Sequence, residues 1–174
     1  MTNKIVFTGS HGVGKTTLAM LTAGKCGYKL LPDVARIAMD AGFKINEQTN
    51  VVSTFWMFSK QAENEQRQPT FVGDKCFIDL LAYVMYFKLP LQAQDLLFKM
   101  AEPFITAYDL VVYLPAGEFP IPDDGYRSLN KEFQKTVDRN VIKVLHYFQK
   151  PYIQIVGTPR QRFRQVQALI GERS

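Results

Sequence analysis

The chain has 174 residues, 47% of them hydrophobic, two cysteines and a formal charge of +5. This length suits one domain with a core that needs no disulfide staples. No apolar run approaches the ~20 residues of a membrane-spanning helix, and Cys26 and Cys76 lack metal-ligand spacing. The positive balance points toward anionic partners without choosing between nucleotides and nucleic acid. Met1-Thr2-Asn3-Lys4 leads straight into an apolar run, leaving no room for a leader segment, and reduced thiols fit a cytoplasmic setting.

In chain order, Ile5-Val6-Phe7 predicts a strand, and Gly9-Ser10-His11-Gly12-Val13-Gly14-Lys15-Thr16 opens a helix through Thr17 to Ala23, which Cys26-Gly27 stops. Tyr28 to Leu31 reads as a short strand ended by Pro32, Asp33 to Ala41 as a helix closed by Gly42. A longer helix is expected from Glu47 to Arg67, with Val51, Val52, Phe55, Phe58 and Ala62 at helical intervals. Thr70 to Asp74 is β-type, Asp79 to Tyr86 helical, and a further helix from Leu91 to Ala101 stops before Pro103. Asp109 to Leu114 is the clearest buried strand. Ala116 to Ser128 is a long glycine- and proline-rich loop, a candidate lid. Leu129 to Gln149 is helical, Tyr152 to Val156 a last strand, and Thr158-Pro159 starts a terminal helix. Strands alternating with helices predict an α/β fold, three-layer αβα with a parallel five-stranded sheet in a single domain, and a site at the carboxyl ends of the strands; the G-x-x-x-x-G-K-T spacing of Gly9 to Thr16 after the first strand makes it a P-loop NTPase, kinase-like in type.

The stretch from Gly9 to Thr16 fits G-x-x-x-x-G-K-[ST] between a strand and a helix, the context such a motif requires. Gly9, Gly12 and Gly14 allow successive amides to turn inward as an anion nest, and the helix that follows adds its positive end. Gly9, His11, Gly12, Val13, Gly14, Lys15, Thr16 and Thr17 are therefore the expected nucleotide contacts, with Lys15 reaching the β- and γ-phosphates and Thr16 ligating Mg²⁺. His11 holds a variable position of the motif and has no catalytic task. A second metal carboxylate is needed. Asp74, directly after a core strand, is best placed, and Asp109, before its strand, is the rival.

The P-loop together with Leu31-Pro32-Asp33-Val34-Ala35-Arg36, Gly73-Asp74-Lys75 to Asp79, Tyr108 to Pro115 and Asp124-Gly125-Tyr126-Arg127 resembles the AAA-type P-loop kinase domains of the NadR family. That grouping includes the ribosylnicotinamide kinase domain and phage-encoded relatives, and is more distantly similar to thymidylate and deoxynucleoside kinases. The resemblance implies that Asp33, Arg36 and Asp79 face the phosphate acceptor. Asp33, where relatives often carry glutamate, would accept the proton of an attacking hydroxyl; alternatively it caps the following helix. Asp79 has the same alternative. Lys75 stands where relatives have arginine, keeping the charge and losing the bidentate fork. Arg127, from the loop, would stabilise charge on the transferred group, with Arg139 a weaker candidate. Arg160, Arg162, Arg164 and Arg173 form either a solvated helix face or a phosphate-contacting patch. The aromatics Phe55, Trp56, Phe58, Tyr83, Tyr86 and Phe87 are mainly core, with one or two available to stack on a base.

The reaction expected is Mg²⁺-dependent transfer of the γ-phosphate of ATP (or GTP) to a nucleoside, a nucleotide, or a modified base within DNA, the last drawn from the phage relatives. A hydrolytic switch is the rival from another class; Lys75-Cys76 stand where it would need a water-activating glutamate or glutamine.

Overall fold

The computed structural model describes residues 3–118, 120, 121, 123, 125 and 127–171. Phe119, Pro122, Asp124 and Tyr126 of the long loop, and Arg173 of the basic group, lie outside the described residues. Five strands, β1 (Lys4–Thr8), β2 (Lys29–Leu31), β3 (Phe71–Gly73), β4 (Leu110–Tyr113) and β5 (Ile153–Gln154), pair in parallel in the order β2-β3-β1-β4-β5. Parallel neighbours demand crossovers, and α1 (Lys15–Cys26), α2 (Val34–Asp40), α3 (Val51–Gln66), α4 (Phe77–Phe87), α5 (Leu91–Thr106) and α6 (Lys131–Tyr147) supply them, while α7 (Pro159–Gly171) follows the last strand.

The period-two pattern of the strands assigns these helices to two faces. Ile5, Phe7, Leu110 and Val112 point to a cluster with Leu18 and Ala19 of α1 and Val166 of α7. Val6, Val111 and Tyr113 point the other way, to a larger cluster with α2, α3, α4, α5 and α6. The result is the expected three-layer αβα sandwich on a five-stranded parallel sheet. The three central strands β3, β1 and β4 are buried on both sides, so β1 and β4 read as continuous apolar runs, while the edge strands β2 and β5 keep exposed residues.

Three expected boundaries move. The helix expected from Glu47 begins at Val51, because Asn50 caps it by accepting from the Ser53 amide at 2.9 Å, and Asn46–Gln48 form a separate 3-10 turn. Helix α5 runs through Pro103 to Thr106. Leu97, Ala101 and Ile105, four apart, are all buried, and their packing outweighs the one backbone bond a proline so near the end removes. The last strand shortens to Ile153–Gln154, pairing only with β4 at the sheet edge.

Every carboxyl end of the sheet faces one rim. The P-loop leaves β1 there, Asp33 follows β2, Asp74 follows β3, the long loop follows β4, and Gly157 to Pro159 follow β5. Asp109 lies at the opposite rim, accepting the amides of Asn3 and Lys4 at 2.9 Å each. It fastens the start of β1 to β4 and drops out as a metal ligand.

Candidate active site

The P-loop has the shape its glycines predict. Gly9, Gly12 and Gly14 have φ of 141°, 77° and 91°. At Gly9 the requirement is absolute, since a Cβ would stand 2.3 Å from the Leu114 carbonyl oxygen. Gly14 is the N-cap of α1 and offers no side chain to the first-turn amides, which leaves those donors for an anion.

Lys15, 5% exposed, folds back over this loop and donates from Nζ to the carbonyls of Gly9 and Ser10, both at 2.5 Å. Burial lowers its pKa, partly opposed by Asp79 at 4.0 Å. Beside it, Asp74 leaves β3 as the next strand over and accepts a hydrogen bond from the Thr16 side chain. Burial, reinforced by the Asp33 charge, lifts the Asp74 carboxyl to about 6, while Thr16, Lys15 and Lys75 pull it down. A hydroxyl and a carboxylate already in contact form a hard oxygen donor pair that fits Mg²⁺, which typically binds through one or two protein oxygens with phosphate and water completing its shell.

Asp33 does two things at once. Oδ1 accepts from the Ala35 amide at 2.9 Å, capping α2, and Oδ2 lies 2.8 Å from Lys75 Nζ. Lys75 has a φ of 120°, a conformation costly for a side-chain-bearing residue. The ion pair and the Tyr83 ring, 5.3 Å from the ammonium, hold it there.

A cavity of about 210 Å³ joins these groups. It is lined by the P-loop from His11 to Thr17 and Asp74, by Asp33, Lys75 and Arg127, and by an apolar recess of Ile45, Met57, Phe58, Leu80, Tyr83 and Phe87 together with the polar Asn46, Thr49 and Thr54. Thus Lys15, Thr16, Asp33, Asp74 and Arg127 converge. Arg36 does not: it is exposed on α2 and absent from the cavity wall. Asp79 does not either. It is 0% exposed beneath the P-loop, where Oδ1 accepts from the Gly9 amide at 3.0 Å and Oδ2 from the Cys76 amide at 2.9 Å. It is not the N-cap of its helix: Cys76 is, and Asp79 completes the capping box from the third position. Arg139 lies exposed on α6, donating to the Thr136 hydroxyl at 3.0 Å.

Of the aromatics, Phe58 is wholly buried, Trp56 packs 4.8 Å from Phe43, and Tyr86 packs 4.5 Å from Phe133, while Phe58, Tyr83 and Phe87 face the cavity. His11 is buried between α4 and α6, its ring 5.4 Å from Phe133 and Nδ1 3.4 Å from the Tyr83 hydroxyl. Burial, then the charges of Lys15 and Lys75, push its pKa down to about 4, so the imidazole is neutral.

Two residues that sequence reasoning left unassigned or divided hold the loop from outside. Gln134 of α6 donates to the His11 carbonyl at 2.7 Å. Arg162 of α7, 2% exposed, donates from Nη1 to the Val13 carbonyl at 2.6 Å and from Nη2 to Glu118 at 2.8 Å. It is neither a solvated arginine nor part of a surface patch; Arg160 and Arg164 are exposed. The available signal was a polar residue in an apolar register, Arg162 four before Val166 and Gln134 three before Val137. Arg162, Pro159, Pro120, Thr17, Leu18 and Leu21 also line a second, largely apolar cavity of about 330 Å³ on the other side of Gly12 and Gly14.

Comparisons agree with this geometry. Residues 4–162 match the sequence profile of the AAA domain family. No match is found among characterised proteins at the sequence level. NadR in complex with NR superposes with a TM-score of 0.82 at 19% identity, over 98% of this chain and 51% of that one, so the chain spans about half of NadR. Deoxyadenosine kinase from M. mycoides, with the products dCMP and dCDP bound, gives 0.76 at 13% identity over 98% and 100%. Shikimate kinase from Acinetobacter baumannii, in complex with shikimate, gives 0.63 at 18% over 100% and 96%. The chain therefore belongs to the AAA domain family, as a member with the NadR-like P-loop kinase fold.

Proposed function

We propose that this single domain is a kinase that transfers the γ-phosphoryl group of ATP to a hydroxyl of a nucleoside-class acceptor, with Mg²⁺ bound by Thr16 and Asp74. The observation that carries this reading is that one cavity is lined by Lys15, Thr16 and Asp74, by Asp33 and Arg127, and by an apolar recess with Asn46, Thr49 and Thr54. Donor grip, metal ligands, a carboxylate and an apolar, partly aromatic lining with a few polar groups are the parts a phosphoryl transfer to a base-bearing molecule requires.

The amides from Gly12 to Thr16 and the Lys15 ammonium bind the phosphate tail. The second cavity, beside Gly14 and Thr17, suits the donor base, with Pro159 and Leu21 against its faces. When bound, Mg²⁺ neutralises phosphate oxygens. Asp33, held by Lys75, orients the acceptor hydroxyl and takes its proton as the oxygen bonds to the γ-phosphorus and the bond to the β-bridging oxygen breaks. Arg127 faces the same space and stabilises charge on the transferred group. Among the described residues of the loop after β4, Glu118 accepts from Arg162 and from the Gly157 amide, and Ser128 donates to Glu47. The nucleosides and nucleotides bound by NadR and deoxyadenosine kinase support this acceptor class.

Incubation with γ-labelled ATP and a panel of nucleosides, nucleotides and DNA oligomers tests the proposal. Label on a nucleoside is expected. Label only on oligomers would assign the polymer, and none on any acceptor would contradict kinase activity.

A further inference from the structure

Asp79 is a fully buried carboxylate that the transfer scheme does not use, yet its two oxygens meet the two halves of the site. Oδ1 accepts from the amide of Gly9, the first residue of the P-loop, at 3.0 Å and lies 4.0 Å from Lys15 Nζ. Oδ2 accepts from the Cys76 amide at 2.9 Å and from Cys76 Sγ at 3.4 Å, fixing the first turn of α4. That helix carries Leu80, Tyr83, Val84 and Phe87 of the apolar recess. We propose, on the reading of the site as a nucleotide site, that Asp79 is a positioning residue that presets the P-loop and parks Lys15 for the phosphate tail, and that it makes no contact with the acceptor.

The chemistry requires a carboxylate here. Both partners are backbone donors in a dry interior, and each needs an acceptor. An asparagine offers one acceptor oxygen and one donor amide, so one of the two backbone N–H groups would face another N–H. The ammonium of Lys15 adds a third demand. It has two carbonyl partners, Gly9 and Ser10, and a buried cation resting only on dipoles is costly unless a charge balances it. Asp79 supplies that balance in the nucleotide-free protein. Because it also holds Gly9 from behind, at a residue whose φ of 141° only glycine adopts readily, the entry of the loop stays fixed. Phosphates then meet amides that are already turned inward, and binding does not have to order them.

A structural capping role alone would lower stability without separating donor from acceptor. The test is therefore direct binding of Mg·ATP, of adenosine and, as acceptors, of each nucleoside in the transfer panel to wild type and Asp79→Asn, alongside the Michaelis constants. Asp79→Asn is expected to weaken Mg·ATP binding and raise the ATP Michaelis constant at least about tenfold, with adenosine and acceptor affinities within about twofold of wild type. Loss of acceptor affinity with ATP affinity retained would overturn the proposal in favour of an acceptor contact, and equal loss for all three would overturn it in favour of a purely structural role. Hydrogen exchange on the wild-type protein decides the matter if the variant does not fold. The Gly9 amide is expected to be protected without nucleotide while those of Gly12 and Gly14 gain protection only with Mg·ATP, whereas fast exchange at Gly9 would overturn the role. Wild type that binds no Mg·ATP would refute the nucleotide reading itself. Wild type that binds, with Asp79→Asn binding equally well, would refute the role of Asp79 alone.

Discussion

Arg162 and Glu118, 44 positions apart, meet through Nη2 and Oε2 at 2.8 Å, and the same guanidinium reaches the P-loop carbonyl of Val13 at 2.6 Å. One buried fork thus ties the P-loop to the start of the long loop that follows β4. Lysine keeps the charge and cannot span both partners. Arg162→Lys is expected to weaken nucleotide binding roughly tenfold and to cost about 1–2 kcal/mol of stability through the lost bond to Val13. Calorimetric titration with ATP and thermal unfolding measure the two effects. Unchanged affinity would limit the arginine to a structural tie.

Gly9 has no room for a methyl group, since a Cβ would lie 2.3 Å from the Leu114 carbonyl oxygen, and its φ of 141° opposes any side chain. Gly9→Ala should destabilise the fold by more than ~1 kcal/mol and abolish detectable nucleotide binding. Denaturant unfolding and ATP titration check both. A variant that binds ATP normally would mean the loop reshapes more freely than its contacts suggest.

The cap and base roles of Asp33 separate in one variant. Asparagine caps helices about as well as aspartate, so Asp33→Asn keeps the α2 cap and loses the proton acceptor and the Lys75 pair. The turnover number should fall on the order of 10²–10⁴-fold with the ATP Michaelis constant within about twofold. Steady-state kinetics against both substrates read this. Near-normal turnover would leave Asp33 as a cap alone.

Glu65 carries a pH dependence of stability. Its carboxyl is 2% exposed, with Oε1 accepting from Gln61 and from the Tyr108 hydroxyl, and Oε2 has no hydrogen-bond partner. Burial raises its pKa to about 7, against the hydrogen bonds from Gln61 and Tyr108 and the charge of Lys4; Cys76 also faces it. A carboxyl whose folded-state pKa exceeds its unfolded value favours the fold while protonated, so this contribution is present below about pH 4.5 and is lost as pH rises through 7. Glu65→Gln should therefore be more stable than wild type at pH 8, by on the order of 1–3 kcal/mol, with the difference shrinking toward pH 5. Urea unfolding at the two pH values tests it. A difference independent of pH would contradict the assignment.

The fold was legible because its signals are local. A P-loop between strand and helix, five apolar runs and their glycine and proline punctuation depend on short stretches, and each appears within a few residues of its expected place. The placement of Lys15, Thr16 and Asp74 together was equally plain, since the first two are fixed by motif spacing and Asp74 by following a strand. What failed to read out depends on chain segments far apart in sequence. Asp79 and Arg36 share a resemblance to acceptor-facing residues, but only packing reveals that one turns under the P-loop and the other toward solvent. Arg162 and Gln134 sat among helix residues whose partners lie 149 and 123 positions away. Pro103 misled for the converse reason, because tertiary burial carried the helix past a local stop signal.

The central claim is that Lys15 and its loop hold a triphosphate whose terminal group passes to an acceptor in the adjoining recess. The most direct measurement is transfer of labelled γ-phosphate from Mg·ATP to a nucleoside panel by wild type and Lys15→Ala, with circular dichroism confirming the fold of both. The account predicts labelled nucleoside from wild type and a loss of at least about a thousandfold in the variant. Near-normal transfer by Lys15→Ala, or ADP release from wild type at a rate no acceptor changes, would contradict it.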